Sequence, residues 1–461
     1  MSDDLQPGGP VGSSDNVAAE ARGVWKTRTG FILAAIGSAV GLGNMWRFPY
    51  LTAEEGGAAF VLLYLIMTLV LGIPVMIAEF ALGRRTRLSP IGALAKEGGP
   101  AWSLLGYLFV AAGFLILAYY AVIAGWVTRY ALTALISGLP ADSAAFFESV
   151  STGAPAILFH LFFMALTIGI VAGGVQHGIE RWNMVMMPLL FLLMVGLAVW
   201  AFTLPGSGDG YAFYLTPDLE AVMSLQVLGE AASQAFFSLS LGMGAMLTYA
   251  SYLSRDSSLP KESTIVSFSD FGVAFFAGLV VFPIIFALGI MGLVSESAIG
   301  ALFIALPAGF AELGVVGRGL GFLFFLALFI GAITSTISLL EVVTSSAIDQ
   351  TGMSRRKAAI IAGLAITALG LWPATNIDVL GAMDAVAGTV LLPLGALGLS
   401  IFVGWVMRNP ESEVAEATGP GVRRLLPLWK GILRFVAPVL LVLVLYYTVQ
   451  AAGAAVSALF D

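Results

Sequence analysis

Two runs rich in glycine, serine and asparagine interrupt otherwise apolar stretches of the chain. The first covers residues 37–44, Gly-Ser-Ala-Val-Gly-Leu-Gly-Asn, and the second covers residues 238–244, Ser-Leu-Ser-Leu-Gly-Met-Gly. Glycine inside a helix costs about 1 kcal/mol relative to alanine, so several glycines together favour unwinding. An unwound stretch frees carbonyl groups, which coordinate cations, and N–H groups, which attract anions. Both runs therefore predict a site for small charged ligands.

The placement of the two runs strengthens this prediction. Close helix packing is the ordinary explanation for glycine in a membrane helix, and it would suffice for one such run. These runs, however, lie in the first and the sixth apolar stretch, five apart. A unit with an odd number of spans inserts its second copy upside down. The placement therefore indicates a five-plus-five inverted repeat with the site on its axis, a pattern known from secondary transporters. Backbone groups unpaired at mid-membrane are tolerated only where protein or a ligand satisfies them.

The composition requires a membrane environment for these stretches. Of 461 residues, 59% are hydrophobic and only 11% are charged, whereas soluble domains carry roughly 25% charged residues. A spanning helix needs about 20 mainly apolar residues. Eleven spans are predicted, numbered 1 to 11 in chain order: 29–50, 58–82, 104–135, 156–174, 184–204, 226–252, 265–293, 319–348, 357–373, 384–407 and 428–458.

The basic residues predict the orientation of these spans. With a cytoplasmic N-terminus, all 21 Lys and Arg residues except three fall on the cytoplasmic side, as the positive-inside rule requires. The exceptions are Arg47 and Arg129, within spans, and Arg318, at a helix start. The run Arg84-Arg85-Thr86-Arg87 is interpreted as an orientation signal, with a lipid-headgroup or partner site as the alternative. The C-terminus is then extracellular.

The predicted organisation follows from these spans. The first residues lack the basic start and apolar run of a signal peptide. The predicted units are a flexible cytoplasmic tail (1–24), a first repeat with spans 1 to 5 (25–204), a second repeat with spans 6 to 10 (205–407), a cytoplasmic loop (408–427), and span 11 with an extracellular C-terminus (428–461).

Several kinds of chemistry are not predicted. Cysteine is absent, which excludes disulfides, thiolate metal sites and cysteine nucleophiles. His160 and His177 lie far apart and are interpreted as loop or helix-end residues. No nucleophile–base pair is found in the spans, so an intramembrane enzyme is not expected. A basic patch with interleaved aromatics is also lacking, so nucleic-acid binding is not expected, and no obligate protein partner is evident.

Motifs along nearly the whole chain resemble the neurotransmitter:sodium symporter family. They are Trp25-Lys-Thr-Arg28, residues 41–50 and 54–60, Ile73-Pro74, Glu79, Gly83-Arg84, Tyr119-Tyr120, Gly178-Ile-Glu-Arg181, residues 236–240 and Thr334-Ser335. The resemblance implies an all-α integral membrane protein with the LeuT fold, a five-plus-five inverted repeat plus one extra C-terminal span. Eleven spans resemble a branch of prokaryotic members, so we expect an inner (plasma) membrane of a prokaryote.

The resemblance also implies what the substrate is. In family members for biogenic amines, the position matching Gly41 is an aspartate that holds the ligand's amine. Glycine here implies a substrate with its own carboxylate, an amino acid. That carboxylate would bind the N–H groups of Leu42 and Gly43 and the Tyr120 hydroxyl, and would touch one sodium ion. The amine would face the carbonyls of Ala39, Phe237 and Ser238.

An apolar pocket is expected for the substrate side chain. By resemblance it would be lined by Ile116, Tyr120, Phe237, Ser240, Met243 and Leu339. The run Gly242-Met243-Gly244 is expected to leave room at the unwound loop, and methionine adapts to variable apolar ligands. We therefore expect a bulky neutral amino acid, aromatic or branched aliphatic.

Two sodium ions are expected from the same resemblance. The first would bind the Ala39 carbonyl, Asn44, Ser238 and Asp270. The second would bind the carbonyls of Gly37, Val40 and Gly331 and the hydroxyls of Thr334 and Ser335. For any one serine or threonine, a hydrogen bond to its own helix is the alternative. A carboxylate in a span is usually functional, and many relatives have asparagine at the position of Asp270. Because nearby Ala274 is not acidic, Asp270 is expected to remove any chloride requirement.

Two gates and a hinge complete the expected mechanism. By resemblance, Arg47 and Asp384 would pair on the outer side above a lid of Tyr120 and Phe237. Arg22 and Asp349 would pair on the cytoplasmic side, beside Trp25 and Tyr252. Gly178 and Pro188 mark a cytoplasmic start of span 5 that could unwind and admit water to the second sodium site, since proline removes a helix hydrogen bond.

The resulting prediction is a sodium-coupled importer of a neutral amino acid that works by alternating access. Two alternatives stay open. One is a transporter of another small carboxylated solute such as taurine or a betaine, against which the apolar pocket weighs. The other is a non-transporting amino acid sensor on the same fold. Oxygen donors fill every predicted sodium position, which favours transport. The exact amino acid, the oligomeric state and proton counter-transport are not predicted.

Overall fold

The computed structural model of the chain describes residues 24–218, 224–291 and 298–457, and every regular element in these ranges is helical. The all-α prediction is thereby confirmed. The predicted tail is outside the described residues except for Val24, and Arg22 of the expected inner gate is outside them as well.

Within the described residues, eight helices are long and apolar enough to cross a membrane, and a bent pair of helices forms a ninth span. The eight are Ala58–Thr86, Pro100–Ile136, Gly153–Ala172, Val175–Ala201, Leu259–Ala287, Gly314–Thr351, Ile377–Val406 and Pro420–Gln450, which are spans 2, 3, 4, 5, 7, 8, 10 and 11. Span 1 is the bent pair Arg28–Ala39 and Gly43–Glu54, whose axes meet at 46°.

The two remaining predicted spans fall below that length for different reasons. Span 6 consists of two short helices, Leu225–Ser238 and Ala245–Ala250. Span 9 is one helix, Arg355–Gly370, of 16 residues. All eleven predicted spans therefore correspond to helical segments. The largest difference in bounds is at span 5, which begins at Val175, before the predicted residue 184. Its first turn is π-helical and polar, so an apolar window misses it.

Short helices join the spans. The sequence did not predict them, because they are too short to produce a spanning apolar window. They include Pro90–Gly98, Ser143–Ser151, Gly208–Leu215, Leu306–Glu312 and Pro410–Ala415.

Burial separates the central spans from the peripheral ones. In span 8, 83% of the most apolar 18-residue stretch is buried within the protein, against 28% in span 11. Span 3 resembles span 8, and the two pack along each other. Spans 4, 5 and 11 expose most of their apolar stretch, which fits contact with lipid. The broken spans 1 and 6 lie against the central pair, so a site at their breaks is enclosed.

Two basic residues have structural roles that their sequence positions did not reveal. Arg84 is fully buried, with its Nε 2.6 Å from the Glu413 carboxylate and a guanidinium nitrogen donating to the Ser257 carbonyl. A lipid-headgroup role is therefore wrong for Arg84. Arg318, an exception to the charge rule, donates to the last carbonyls of span 3, including Ile136 at 2.9 Å. A cation at a helix C-terminus is favourable.

His160 also differs from its predicted position. It lies inside span 4, is fully buried, and its Nε2 is 3.1 Å from the Thr367 carbonyl of span 9. The interpretation as a loop or helix-end residue is wrong for His160. The ring instead joins two neighbouring spans.

Candidate functional site

The break in span 1 lies at residues 40–42. Val40 adopts an extended conformation with φ −71° and ψ 115°. The Gly41 N–H donates to Asn44 Oδ1 at 2.9 Å, not to the carbonyl of Gly37 four residues earlier. The Leu42 N–H donates to the Tyr120 hydroxyl at 2.8 Å. Side chains thus replace the helix's own hydrogen bonds, as the sequence predicted for this run.

The break in span 6 covers residues 239–244. Ser240, Gly242 and Gly244 all have positive φ, at 54°, 82° and 75°. Glu79 of span 2, fully buried, accepts the Gly242 N–H at 2.9 Å and the Leu247 N–H at 3.0 Å. The unwound loop is therefore held by a carboxylate from a neighbouring span.

Gly242 does not leave room for a ligand, and that expectation is wrong. A Cβ at this position would stand 2.1 Å from the Leu392 carbonyl oxygen of span 10. The glycine is required because span 10 approaches the loop backbone at this point and because φ is positive. Any space for a substrate side chain must therefore be provided by residues other than Gly242.

A small cavity lies between the two breaks. Its residues come from spans 1, 3, 6 and 8: Ser38, Ala39, Gly41, Gly43, Ile116, Tyr120, Phe237, Ser238, Ser240, Met243, Ser335 and Leu339. Nine of the ten predicted substrate residues line it. The tenth, Leu42, reaches it through the hydrogen bond to Tyr120. The cavity measures about 20 Å³, which is room for about one water molecule. An amino acid therefore requires these walls to move apart.

The cavity has a polar end and an apolar end. At the polar end the two breaks touch, because the Ser240 hydroxyl donates to the Ser38 carbonyl at 2.7 Å. No side chain fits at Gly41: a Cβ there would lie 2.4 Å from Ser335 Oγ and 2.6 Å from the Tyr120 hydroxyl. Glycine at this position therefore suits the close approach of Ser335 and Tyr120.

The predicted first sodium site forms a buried cluster around Asp270. Asn44 Nδ2 donates to Asp270 Oδ1 at 2.7 Å, and the Ser238 hydroxyl donates to Oδ2 at 2.8 Å. The Tyr64 hydroxyl, which the sequence did not suggest, donates to Oδ2 at 3.1 Å. Within the described chain, no Lys, Arg or His nitrogen lies within 4.0 Å of this carboxylate. A buried carboxylate without a cationic side chain fits an alkali cation as counter-ion.

The predicted second sodium site lies between spans 1 and 8. The Ser335 hydroxyl donates to the Val40 carbonyl at 3.3 Å. A Cβ on Gly37 would stand 3.1 Å from the Thr334 Cβ, and one on Gly331 would touch Gly41 Cα at 3.4 Å. The Thr334 hydroxyl donates to its own helix at 3.0 Å. The five predicted residues are therefore close together, in a chemistry suited to sodium.

The predicted outer ion pair is not formed. Arg47 is 3.9 Å from the Glu230 carboxylate and donates to Ser233 and Gln234, so the expected direct contact with Asp384 is wrong for this conformation. Asp384 accepts the Tyr119 hydroxyl at 2.7 Å instead.

Both charges nevertheless flank the same ring. The Arg47 guanidinium lies 5.2 Å from the Phe237 centroid. A Cβ on Gly388 would meet Asp384 Oδ1 at 2.9 Å and the Phe237 ring at 3.4 Å. Phe237, which lines the cavity, therefore lies between the two charged side chains.

On the side of the cavity nearer Trp25, a tryptophan and a buried ion pair fill the space between the helices. Trp25 Nε1 donates to the Tyr249 carbonyl at 2.8 Å, and its ring packs on Tyr252. Glu341 of span 8 pairs with Arg355 at 2.7 Å and accepts the Tyr252 hydroxyl at 2.5 Å. Asp349 of the expected inner gate accepts the Ser89 N–H at 2.7 Å, and its expected partner Arg22 lies outside the described residues.

The start of span 5 is a π-helical turn, Val175–Glu180, that contains Gly178. A Cβ on Gly178 would stand 2.0 Å from the Ile170 carbonyl, so only glycine fits against span 4. Pro188 lies inside the following helix, Arg181–Ala201. The segment between these two residues is helical here, and the predicted unwinding remains a prediction.

Sequence reasoning assigned no role in the site to four buried side chains that shape it. They are Tyr64, Glu79, Asn183 and Glu341, all with 0% exposure, and only Glu79 was noted, as part of a family motif. The sequence signal for Glu79 and Glu341 was available, because a lone carboxylate inside a span is unusual. Tyr64 and Asn183 gave no local signal, since their partners are far away in the chain.

Three comparisons with known proteins agree with this geometry. The model of the sodium:neurotransmitter symporter family matches residues 22–155 and 150–457. A Bacillus subtilis protein described as "Uncharacterized sodium-dependent transporter YhdH" is 35% identical over 446 residues, 91% of this chain and 96% of that protein. A Methanocaldococcus jannaschii protein, "Uncharacterized sodium-dependent transporter MJ1319", is 35% identical over 92% of this chain and 89% of its own length.

A solved structure and an animal relative extend the comparison. The crystal structure of MhsT in complex with L-phenylalanine superposes with a TM-score of 0.84 at 40% identity, covering 93% of this chain and 99% of that one. The sodium-dependent neutral amino acid transporter B(0)AT2 of Bos taurus is 31% identical over 299 residues, 58% of this chain and 41% of that protein.

Proposed function

Because the chain belongs to the sodium:neurotransmitter symporter family, a family of sodium-dependent multi-pass membrane transporters with the LeuT fold, we propose that it imports a neutral, bulky apolar amino acid together with sodium. The identity of the substrate, the number of coupled sodium ions and the independence of chloride are parts of this proposal.

One observation carries the proposal: two broken helices bring main-chain groups that have lost their helix hydrogen bonds to one small cavity. The Leu42 N–H and the Tyr120 hydroxyl lie at its polar end, suited to a carboxylate. Because a side chain at Gly41 would crowd Ser335 and Tyr120, the chain offers no carboxylate at this point, which favours a ligand that supplies its own. The carbonyls of Ala39, Phe237 and Ser238 then receive the ammonium group, as half-helix C-termini favour cations. A zwitterionic amino acid matches both ends.

The apolar end supports a hydrophobic side chain. Ile116, Phe237, Met243 and Leu339 provide it without a charged group. Because the small cavity holds only about one water molecule, these side chains must shift when a ligand enters. Methionine adapts readily to such changes. MhsT, which has the same fold, was solved with L-phenylalanine, and this supports an aromatic or branched aliphatic substrate.

Two sodium ions would drive the transport. The first would neutralise Asp270, and the second would bind between spans 1 and 8. Moving one charge through 100 mV is worth about 2.3 kcal/mol. Two ions with a zwitterion therefore support roughly a thousandfold accumulation from voltage alone, since each 1.4 kcal/mol is worth tenfold. The charge of Asp270 stands where chloride would otherwise be needed, so transport would be chloride-independent.

Alternating access would use the closures on either side of the cavity. On the outer side, Phe237 would move away as Arg47 and Asp384 separate from it. On the cytoplasmic side, release of Trp25 and of the Glu341–Arg355 pair would open the path. The distribution of Lys and Arg supports a cytoplasmic N-terminus and an extracellular C-terminus in a prokaryotic plasma membrane.

The proposal is tested with purified protein in sodium-loaded and sodium-free proteoliposomes. Radiolabelled L-phenylalanine and L-leucine should accumulate only with an inward sodium gradient, and glutamate, lysine, taurine and glycine betaine should not compete. Sodium-dependent binding without accumulation would favour the sensor alternative. Competition by taurine or betaine at the same concentration would favour a different carboxylated substrate. Binding that is indifferent to sodium would overturn the proposal.

A further inference from the structure

Asn183 of span 5 has a carbonyl oxygen without a hydrogen-bond donor at the proposed second sodium site. The side chain is fully buried, and among the described residues no donor is within hydrogen-bond distance of Oδ1. Nδ2 donates to the Ile179 carbonyl at 2.9 Å. Since that carbonyl can only accept, the amide orientation is determined, and the atom facing span 1 is the oxygen.

The orphan oxygen is directed at Gly37. A Cβ on Gly37 would stand 2.1 Å from Asn183 Oδ1 and 3.1 Å from the Thr334 Cβ. The amide oxygen and the Thr334 side chain therefore both pack against Gly37. Gly37 is also the residue whose carbonyl is released at the break, because the Gly41 N–H donates to Asn44. The amide oxygen of Asn183 and the Cβ of Thr334 thus both pack against the glycine whose carbonyl is freed at the break.

We propose that Asn183 Oδ1 is a further oxygen ligand of the sodium ion held between spans 1 and 8, contributed by span 5. This inference rests on the proposed second sodium site and adds span 5 to the spans that contribute ligands to it. A buried carbonyl oxygen without a donor is unfavourable, and a hard cation satisfies it as a hydrogen-bond donor would. Spans 1 and 8 alone supply the ligands implied by the family resemblance, so the span 5 ligand is an addition to that set.

The ligand's position links ion release to the shape of span 5. Asn183 lies between Gly178 and Pro188, inside the segment proposed to unwind. Glu180, in the first turn of span 5, accepts the Lys26 N–H at 2.8 Å and the Thr27 N–H at 3.1 Å, so the same segment also holds the start of span 1. Unwinding of this segment would withdraw an oxygen from the ion and release span 1 in a single movement.

The inference is tested by direct binding of radioactive sodium to the purified full-length chain, without any amino acid present. Asn183→Leu removes the oxygen at similar size, and Asn183→Asp keeps an oxygen and adds a negative charge. We expect the leucine variant to raise the half-saturating sodium concentration of the second site about tenfold and the aspartate variant to lower it. The Li⁺ to Na⁺ preference should also change in both variants, which a merely structural role would not produce.

Two control variants separate this outcome from others. Met187→Leu alters another buried position of span 5 at similar volume and should leave sodium binding unchanged. Thr334→Val removes an expected ligand from span 8 and should weaken the same site. If Thr334→Val weakens sodium binding while both Asn183 variants bind sodium like the wild type, the inference is overturned and the proposed function stands. If the wild-type protein binds no sodium, the proposed function itself fails.

Discussion

The Leu42 N–H donates to the Tyr120 hydroxyl at 2.8 Å, which joins the break in span 1 to the middle of span 3. In a continuous helix this N–H would bond four residues back, to the carbonyl of Ser38. That carbonyl instead accepts the Ser240 hydroxyl from span 6. One exchange of hydrogen bonds thus connects three spans at the cavity.

Replacing Tyr120 by phenylalanine tests this connection. The variant leaves the buried Leu42 N–H without its acceptor, which costs about 1–3 kcal/mol, and removes a hydroxyl proposed to bind the substrate carboxylate. Affinity for L-phenylalanine should fall roughly tenfold to a hundredfold, measured by equilibrium binding at saturating sodium. Tyr107→Phe, on an exposed face of the same span, should bind normally. Equal affinity of both variants would contradict the assigned role of Tyr120.

Replacing Asp270 by asparagine tests chloride independence. Wild-type uptake should be the same in sodium chloride and in sodium gluconate. Asp270→Asn removes the buried negative charge, so uptake should fall strongly in gluconate and be restored in part by chloride. Asp378→Asn, an exposed acid at the start of span 10, should behave as wild type. Abolition of wild-type uptake by gluconate would disprove the role given to Asp270.

Replacing Glu341 by glutamine tests the proposed cytoplasmic closure. Breaking a fully buried ion pair costs about 3–5 kcal/mol. Because the Arg355 side chain is 12% exposed, breaking this ion pair should cost less free energy than that. The chain has no cysteine, so a single Thr248→Cys probe of the buried half of span 6 is the only thiol. Its maleimide labelling should rise about tenfold with Glu341→Gln and stay unchanged with the exposed control Glu148→Gln. Unchanged labelling in both would argue against the closure.

Replacing Pro188 by alanine restores a backbone hydrogen bond in span 5. If unwinding here admits water to the sodium ion, the variant should release sodium inward several-fold more slowly, since proline removes about 3 kcal/mol of helix stability. Pro283 lies inside the helix of span 7 and provides a matched control. Pro283→Ala should not change the rate of sodium release. Stopped-flow measurement of sodium release into the lumen of proteoliposomes compares the rates of the two variants with that of the wild type. A normal rate in the Pro188 variant would remove the basis for the hinge.

Replacing Gly242 by alanine tests the packing of the unwound loop. The new methyl group would stand 2.1 Å from the Leu392 carbonyl at a φ of +82°. The backbone conformation alone costs about 1–3 kcal/mol for a residue with a side chain. Thermal unfolding followed by intrinsic fluorescence should shift downward by several degrees. Gly272→Ala in span 7, where nothing lies within 4 Å, should be neutral or slightly stabilising. Equal stability of both would contradict the packing.

Local features explain why the sequence predicted the spans and both breaks. Runs of glycine and serine alter helix stability at their own positions, so residues 37–44 and 238–244 could be interpreted without their neighbours. The close approach of nine predicted residues around one cavity followed from the family resemblance. Space was misjudged at Gly242, because the carbonyl that fills it belongs to span 10.

Long-range partners were not predictable in the same way. Arg47 was expected to reach Asp384 and contacts Glu230 instead, because the direction of a long side chain depends on packing across spans. Asn183 gave no signal, since its importance comes from Gly37, far away in the chain. Arg84 was interpreted as an orientation signal because its buried partner Glu413 is far away in the chain.

The two hydrogen bonds that Glu79 accepts from the loop of span 6 involve neither an ion nor a substrate. The loop is therefore shaped when the chain folds, and binding an amino acid does not require it to be ordered at that moment. Preorganisation of this kind removes an entropic penalty from association. It allows a small ligand with few atoms to bind tightly to main-chain groups that would otherwise be flexible.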